Sequence, residues 1–337
     1  MLDDRKAAVL RAVVREYIET AQPVGSAHVA RTTNLGVSPA TVRNEMAALE
    51  HEGYLTQPHT SAGRVPTDQG YRFFVDQLTG PGALAAPQRQ QVREFFAKAH
   101  GELEQMLHDT SSLLSGLTSY AALVLAPPSE RATVRSVQVV GLANRLAMAV
   151  AVLSNGTVEK AMLELDADVG DERLAAASSH LSAQLEGSAL AEANAVPATG
   201  DRRLDRLVDA VLDAFGHPAD RDHDHVYVGG ASRMASAFDA VDTVRQVLAI
   251  LEQQYVVVGL LREVLDSEGD QHGLSVSIGA ELGMQPLAEC SIIVAPYVIE
   301  GEPLGTVGVL GPTRMNYPQA MAAVAIVSER LGRTLSA

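Results

Sequence analysis

Arg43 and Asn44 are the two adjacent side chains best suited to reading nucleic acid. An arginine fork matches guanine O6 and N7, and a side-chain amide matches adenine N6 and N7. Both lie in Gly36-Val37-Ser38-Pro39-Ala40-Thr41-Val42-Arg43-Asn44-Glu45-Met46-Ala47-Ala48-Leu49-Glu50, which reads as the turn and recognition helix of a winged helix-turn-helix. Ser38 can cap the helix through an orphan backbone N–H, and Pro39 falls at the first helical position, where its missing N–H costs nothing. Val42, Met46 and Leu49 recur at helical spacing and can pack inward. Thr41, Arg43 and Asn44 then face outward near the N-terminal end, and Gly53 ends the helix. Taken alone, the same residues also describe the solvated face of an ordinary helix, so the surrounding elements decide.

Those elements suit a reading head. A helix is expected from Asp3 to Thr20, with Ala7, Leu10, Val13, Val14, Tyr17 and Ile18 on one face. Ser26 can cap a short second helix reaching about Thr33, and Asn34-Leu35-Gly36 can form the turn before the recognition helix. After Gly53, Tyr54 to Gln57 reads as a short strand. His59-Thr60-Ser61-Ala62-Gly63-Arg64-Val65-Pro66 has the composition of a DNA-contacting wing, with small residues that let backbone approach phosphates and one long cation. His59, Thr60, Ser61 and Arg64 are the candidate wing contacts; a structural salt bridge is the alternative for Arg64. Ser26 and Ser38 are candidates for phosphate contact as well as for capping. Thr67 opens a further helix, with Tyr71, Phe73, Phe74 and Leu78 to close the small core.

The run from Pro23-Val24-Gly25-Ser26 through Ser38-Pro39-Ala40-Thr41-Val42-Arg43-Asn44-Glu45-Met46 to Ser61-Ala62-Gly63-Arg64-Val65-Pro66-Thr67-Asp68-Gln69-Gly70-Tyr71-Arg72 resembles the HrcA family of bacterial heat-inducible transcription repressors. Gly311-Pro312-Thr313-Arg314-Met315-Asn316-Tyr317 is similar to the same family near the C-terminal end, so the likeness spans both ends of the chain. The resemblance implies an α+β multidomain protein: an N-terminal winged helix-turn-helix, and a GAF-like α+β domain interrupted by an inserted dimerisation domain.

Composition agrees with a protein of two or three domains. The 337 residues are 47% hydrophobic but only 4% aromatic, with no Trp, so the cores must be aliphatic. There is no uninterrupted apolar run of about 18 residues, which argues against a membrane span. The N-terminal Asp3, Asp4 and Arg5 do not begin a signal peptide. A single cysteine, Cys290, excludes an intramolecular disulfide, and a cytoplasmic protein is expected. The net charge of −15 is unusual for a DNA-binding protein. Residues 1–75 hold eight Lys/Arg and eight Asp/Glu, so all the excess acid lies outside the proposed head. Non-specific affinity for DNA comes from phosphate neutralisation and should be weak here, leaving selectivity to base contacts and dimerisation.

Beyond the head, Gly80 to Pro87 is a linker by composition. From Gln88 to Leu117, Val92, Phe96, Ala99, Leu103, Met106, Thr110, Leu113 and Leu117 form a heptad seam on a helix roughly 45 Å long. Such a helix packs on its own domain or pairs with a second subunit. Strands are expected at 120–126, 133–141, 146–153 and 158–165, with an Asn155-Gly156 hairpin signal between the last two. Helices follow at 171–185 and 202–215. Strands return at 275–279, 291–297 and 304–310, and a final helix spans 318–335. Strands at both ends with helices between suggest one α+β domain carrying an insertion. The expected division is 1–79 for the winged head, 80–156 for linker, long helix and first part of the GAF-like domain, 157–237 for the insertion, and 238–337 for its second part.

No catalytic, cofactor or metal site is expected. The cluster from His217 to His225 follows no metal-ligand spacing and reads as a solvated acidic loop, and Cys290 reads as a small core residue. Val228-Gly229-Gly230 is too short for a phosphate loop, and neither a Walker motif nor a nucleophile elbow occurs. The expectation is a sequence-specific repressor of chaperone operons that reads double-stranded DNA as a homodimer, since two helices related by a two-fold axis need an inverted repeat. The resemblance further implies a CIRCE-type operator and a chaperonin partner that assists folding. The alternative is a regulator sensing a small molecule through the GAF-like domain.

Overall fold

In the computed structural model, the described residues are 2–32, 36–59, 62–98, 102–127, 132–154, 158–165, 169–189, 196–216, 225–235, 237–238, 240–266, 273–299 and 302–336. The fold is mixed α+β and divides into two compact units. The first comprises Met1–Ala99, His108–Leu125 and Val226–Ala337; the second comprises His100–Leu107 and Ala126–His225.

The first unit begins with α1 (Asp4–Thr20), α2 (Ser26–Thr32), α3 (Pro39–His51), β1 (Leu55–Thr56), β2 (Val65–Pro66) and α4 (Asp68–Asp76). Asp3 caps α1 by accepting from the Lys6 N–H, and Thr67 caps α4 by accepting from Gly70. Of the face expected on α1, Ala7, Leu10, Val13 and Val14 are buried, and Tyr17 and Ile18 are half-buried. Val9 is buried as well, because α1 meets α3 on one side and α4 and β2 on another. β1 and β2 form an antiparallel ribbon, with Leu55 opposite Pro66. Val24 adds an antiparallel bridge to Arg64.

The residues that read as a linker are packed rather than free. Leu84 is buried, and the Gly82 N–H donates to the Pro318 carbonyl at 3.1 Å. A Cβ on Gly82 would lie 2.8 Å from that oxygen, so the close approach requires glycine. The single helix expected from Gln88 to Leu117 is two: α5 (Ala86–Lys98) and α6 (Leu103–Thr118), with Glu102 outside both. Gly101, a poor helix former, sits in the sequence between them. Of the expected seam, Val92, Phe96, Leu103, Thr110, Leu113 and Leu117 are buried within this chain.

A five-stranded antiparallel sheet forms the centre of this unit. Its order is β7 (Val226–Gly229), β3 (Ala121–Leu125), β10 (Glu302–Pro312), β9 (Cys290–Ile299) and β8 (Ser275–Ile278). Leu123, Ile292, Val294 and Leu310 share a core with α10 (Val241–Leu251) and α11 (Gln254–Asp266), which follow the short α9 (Ala231–Ala235). α12 (Tyr317–Leu335) packs against β9 and β10 through a buried stripe that includes Ala320, Val324, Val327 and Leu331. Covering by helices explains why β9 is nearly continuously apolar instead of alternating. The Gly311–Tyr317 segment serves the fold directly. Asn316 caps α12, and the Tyr317 hydroxyl donates to Thr313 O at 2.6 Å and lies 2.8 Å from Ser291 Oγ.

The second unit holds a three-stranded antiparallel sheet in the order β4 (Val134–Ala143), β5 (Leu146–Leu153) and β6 (Val158–Glu164). α7 (Asp171–Leu185) and α8 (Arg202–Gly216) complete it. Ala147, Ala149, Ala151 and Leu153 meet Leu174, Ala177, Leu181 and Val211 in one aliphatic core. α7 also satisfies backbone groups of β4: Val139 N donates to Ser178 Oγ at 2.8 Å and Val137 N to Ser182 Oγ at 2.9 Å. Sealing an edge strand in this way removes a template for unwanted pairing.

This division differs from the expected one at two borders. A cut at 157 would separate β4 and β5 from β6, to which β5 is hydrogen-bonded from Leu146 to Val152, so the main segment of the second unit begins at Ala126. Its far border falls at His225 and not 237, because β7 pairs with β3 of the larger sheet. Residues 1–79 fall in the same unit as that sheet. The Asn155-Gly156 hairpin signal lies outside the described residues.

Candidate nucleic-acid interface

α3 forms where the sequence places it, and its first turn shows why. The Ser38 hydroxyl accepts from the Thr41 N–H at 3.2 Å and lies 3.0 Å from Thr41 Oγ1, with Pro39 in the first turn. Val42, Met46 and Leu49 are buried. Helical geometry therefore turns Arg43 and Asn44 outward, and both are exposed together with Ala40 and Ala47. Gly53 follows the helix at φ +85°, a conformation that disfavours any side chain.

The charges around α3 are largely matched. Arg5 lies 3.7 Å from Glu45, Lys6 2.5 Å from Glu52, and Arg64 2.8 Å from Glu50. The Glu52 carboxylate raises the Lys6 pKa above its ordinary value. Three acidic side chains of α3 and its cap, which would otherwise repel phosphate, are thus neutralised by partners from outside the helix. Arg43 has no ion pair among the described residues, so its guanidinium is available to a ligand.

Ser26 opens α2 but does not cap it as expected. The Gly25 carbonyl accepts from His28 and Val29 N–H, which puts Gly25 at the cap position and Ser26, half-buried, in the first turn. His59 is exposed at the start of the β1–β2 loop, while Thr60 and Ser61 lie outside the described residues. The loop is closed from within by Gln57 Nε2, which donates to Ala62 O at 3.0 Å, and by Ala62 N donating to His59 O at 2.9 Å. Arg64 is not an extended free cation. Its Nε and Nη2 both reach Glu50 Oε2, at 2.9 and 2.8 Å, which is the salt-bridge alternative seen in the sequence.

Sequence reasoning missed the residues that hold this surface in place. Gln57 and Glu50 have no local signature, because their partners come from the far side of a turn. Asp68 and Arg72 lie on α4 and bind the 3₁₀ turn Gly279–Leu282 after β8: Ala280 N donates to Asp68 Oδ2 at 3.1 Å, and Arg72 pairs with Glu281. Tyr71 packs against Tyr317, with ring centroids 6.0 Å apart. Burial raises the phenol pKa of both above the ordinary value.

No group of three or more His, Cys, Asp or Glu able to hold a metal occurs among the described residues; most of the 217–225 cluster lies outside them. Cys290 is fully buried, and burial pushes its thiol up to about 12. No single helix among the described residues is long and apolar enough to cross a membrane.

The described residues therefore form an α+β protein in which one exposed helix face presents Arg43, without an ion pair among those residues, beside the Asn44 amide. Comparison with known proteins gives the family. Residues 104–321 match the family described as HrcA protein C terminal domain. Relatives called heat-inducible transcription repressor HrcA match over full length. That of Pelotomaculum thermopropionicum is 37% identical, covering 99% of this chain and 97% of its own. That of Moorella thermoacetica is 39% identical, covering 99% and 98%, and that of a Nocardioides strain is 39% identical, covering 99% of each. A crystal structure described as a hypothetical protein shares the fold with a TM-score of 0.64 at 23% identity, covering 99% of this chain and 98% of that one. The chain belongs to the HrcA family of heat-inducible transcription repressors.

Proposed function

We propose that this protein represses heat-shock chaperone operons by reading a CIRCE-type inverted repeat as a homodimer. In this reading residues 1–79 are a winged helix-turn-helix, α3 enters the major groove, and the β1–β2 loop is the wing. The observation that carries it is the outward face of α3: Arg43 and Asn44 exposed, Arg43 with no ion pair among the described residues, beside three glutamates already paired with cations. Arg43 and Asn44 contact base edges, Ser38 and Thr41 lie beside them at the helix N-terminus, and Ser26, His59, Thr60 and Ser61 approach the backbone.

The five-stranded sheet with α12 is the GAF-like domain, and the β4–β5–β6 unit is the inserted dimerisation domain. Val140, Leu142 and Met162 support that role: they are 43%, 49% and 56% exposed, and Met148 pairs with both Val140 and Met162 across the sheet. An exposed apolar patch of this kind, bordered on the same face by Gln138, Lys160 and Glu164, suits a second copy of the chain. Met162→Asp should shift the protein from dimer to monomer in analytical ultracentrifugation; an unchanged mass would reject this face. A chaperonin that assists folding completes the reading, since heat would divert it to other clients and leave less active repressor.

The test is titration of purified protein on a labelled inverted repeat and on a scrambled copy, with and without chaperonin, and again with Arg43→Ala. Selective binding that rises with chaperonin and falls in the variant supports the whole reading. Selectivity indifferent to chaperonin removes the folding loop, and no selectivity from folded protein removes the operator assignment. The small-molecule reading has one observation in its favour, a cleft of about 750 Å³ lined in part by Pro81, Ala295, Pro296, Val298 and Arg333. Its walls are mainly apolar, and the polar side chains on them are already engaged within one helix: Arg333 with Glu329 at 2.5 Å, Ser328 Oγ with Ala325 O and Ser336 Oγ with Gly332 O.

A further inference from the structure

We infer that Arg64 is a positioning residue of the reading head and not a phosphate contact: its pair with Glu50 locks the β1–β2 loop to the end of α3. The inference rests on α3 being the helix that reads DNA.

Three attachments meet at Arg64. Its backbone is paired in both directions with Val24, Arg64 N to Val24 O and Val24 N to Arg64 O, each at 2.9 Å. The preceding Gly63 lies so close to Val24 that a Cβ would stand 2.4 Å from Val24 O, so only glycine permits the approach. The side chain then turns to α3, where Nε and Nη2 converge on one oxygen of Glu50. The Arg64 side chain is only 18% exposed, and that of Glu50 34%.

Glu50 explains why the arginine is used this way. It lies in the last turn of α3, where the helix dipole disfavours a negative charge, so it needs a cationic partner. Were Arg64 to leave for a phosphate, Glu50 would be left unpaired at the wrong end of the helix and close to a polyanion. The pair as it stands is neutral and releases few counterions from DNA. What it supplies is geometry: α3, the α1–α2 loop and the β1–β2 loop move as one body.

The test uses the full-length protein on the inverted-repeat and scrambled duplexes at several salt concentrations. Arg64→Ala should weaken operator binding about tenfold, leave scrambled DNA unchanged, and keep the slope of log affinity against log salt. Glu50→Gln should lower the operator-to-scrambled ratio in the same way, and the double swap Arg64→Glu with Glu50→Arg should restore most of it. A phosphate contact predicts the opposite pattern: a slope smaller by about one, equal loss on both duplexes and no recovery in the swap. That pattern would overturn the inference, as would wild-type behaviour of Arg64→Ala. Should Arg64→Ala melt far below the wild type, Glu50→Gln and the swap decide. A wild type that does not discriminate the duplexes removes the parent reading itself, which the variants are not needed to show.

Discussion

Arg72 of α4 and Glu281 of the turn after β8, 209 residues apart, form a two-point ion pair: Nε donates to Oε1 at 2.8 Å, and Nη2 to Oε2. The same Nη2 donates to Val276 O at 2.7 Å, and Glu281 Oε2 also accepts from Ile278 N at 2.8 Å. Both side chains are therefore anchored to the β8 backbone as well as to each other. Burial works against the Arg72 charge, and Glu281 together with Asp76 more than offsets it, holding the guanidinium pKa above its ordinary value.

Breaking this pair should loosen α4 from the sheet without unfolding either. Each side chain is about a third exposed, so solvent screening limits the pair's worth to about 1 kcal/mol. Arg72→Ala and Glu281→Gln should each cost that much in denaturant unfolding, and the double variant little more than either alone. Hydrogen exchange should show faster opening of α4 in both. Fully additive losses would mean that the two residues do not act as a pair.

Gly279 should tolerate no side chain. Its φ is +56°, and a Cβ would fall 2.1 Å from Asp68 Oδ2. Gly279→Ala therefore strains the backbone and displaces the carboxylate that receives the Ala280 N–H, costing about 1 to 2 kcal/mol. Adding Asp68→Ala should return part of that loss in thermal melts, because the obstacle goes while the positive φ stays. No relief would place the whole cost in the backbone.

Ser38 and Arg43 should separate stability from binding. Ser38→Ala removes the α3 cap and should lower stability by about 1 kcal/mol. Arg43→Ala removes an exposed side chain with no ion pair among the described residues, so it should leave the melting temperature unchanged while weakening operator binding by about 1 to 3 kcal/mol. Calorimetry beside DNA titration checks both. A destabilised Arg43→Ala would mean that this side chain serves the fold.

Cys290 should make stability fall at high pH. Its thiol titrates from about 12 in the fold against 9.0 when free, so below pH 9 both states are protonated and nothing is lost. Between about 9 and 12 only the unfolded chain ionises, which draws the equilibrium toward it by up to about 1.4 kcal/mol per pH unit. Comparing the unfolding midpoints of wild type and Cys290→Ala from pH 8 to 10.5 isolates this group from the tyrosines and lysines that also titrate. Parallel curves would show that the thiol is reached by solvent.

Local pattern was enough for the helix that carries the candidate site. Ser38, Pro39 and the spacing of Val42, Met46 and Leu49 dictate where α3 starts and which side it buries, because caps and periodicity act within a few residues. The same logic found β5 and α7 at their observed limits, Leu146–Leu153 and Asp171–Leu185. It failed at 126 and 225, since strand pairing joins segments whatever their order, and β7 is a four-residue strand that becomes legible only beside β3. It also made one helix of two between Gln88 and Leu117, where a continuous apolar repeat hid the interruption at Glu102.

By itself, then, the sequence determined the head's helices and most of the strands, the outward placing of Arg43 and Asn44, and an overall acidity concentrated outside the first 75 residues. These depend on short-range sterics, backbone hydrogen bonding and burial of apolar faces. Only the tertiary structure decided that Arg64 is committed to Glu50, that the apparent linker is held by Pro318, and that α4 is tied to the turn at Glu281. Ion pairs and glycine contacts of this kind join residues far apart in the chain. They have no period or motif, and they exist only once the core has brought the two partners together.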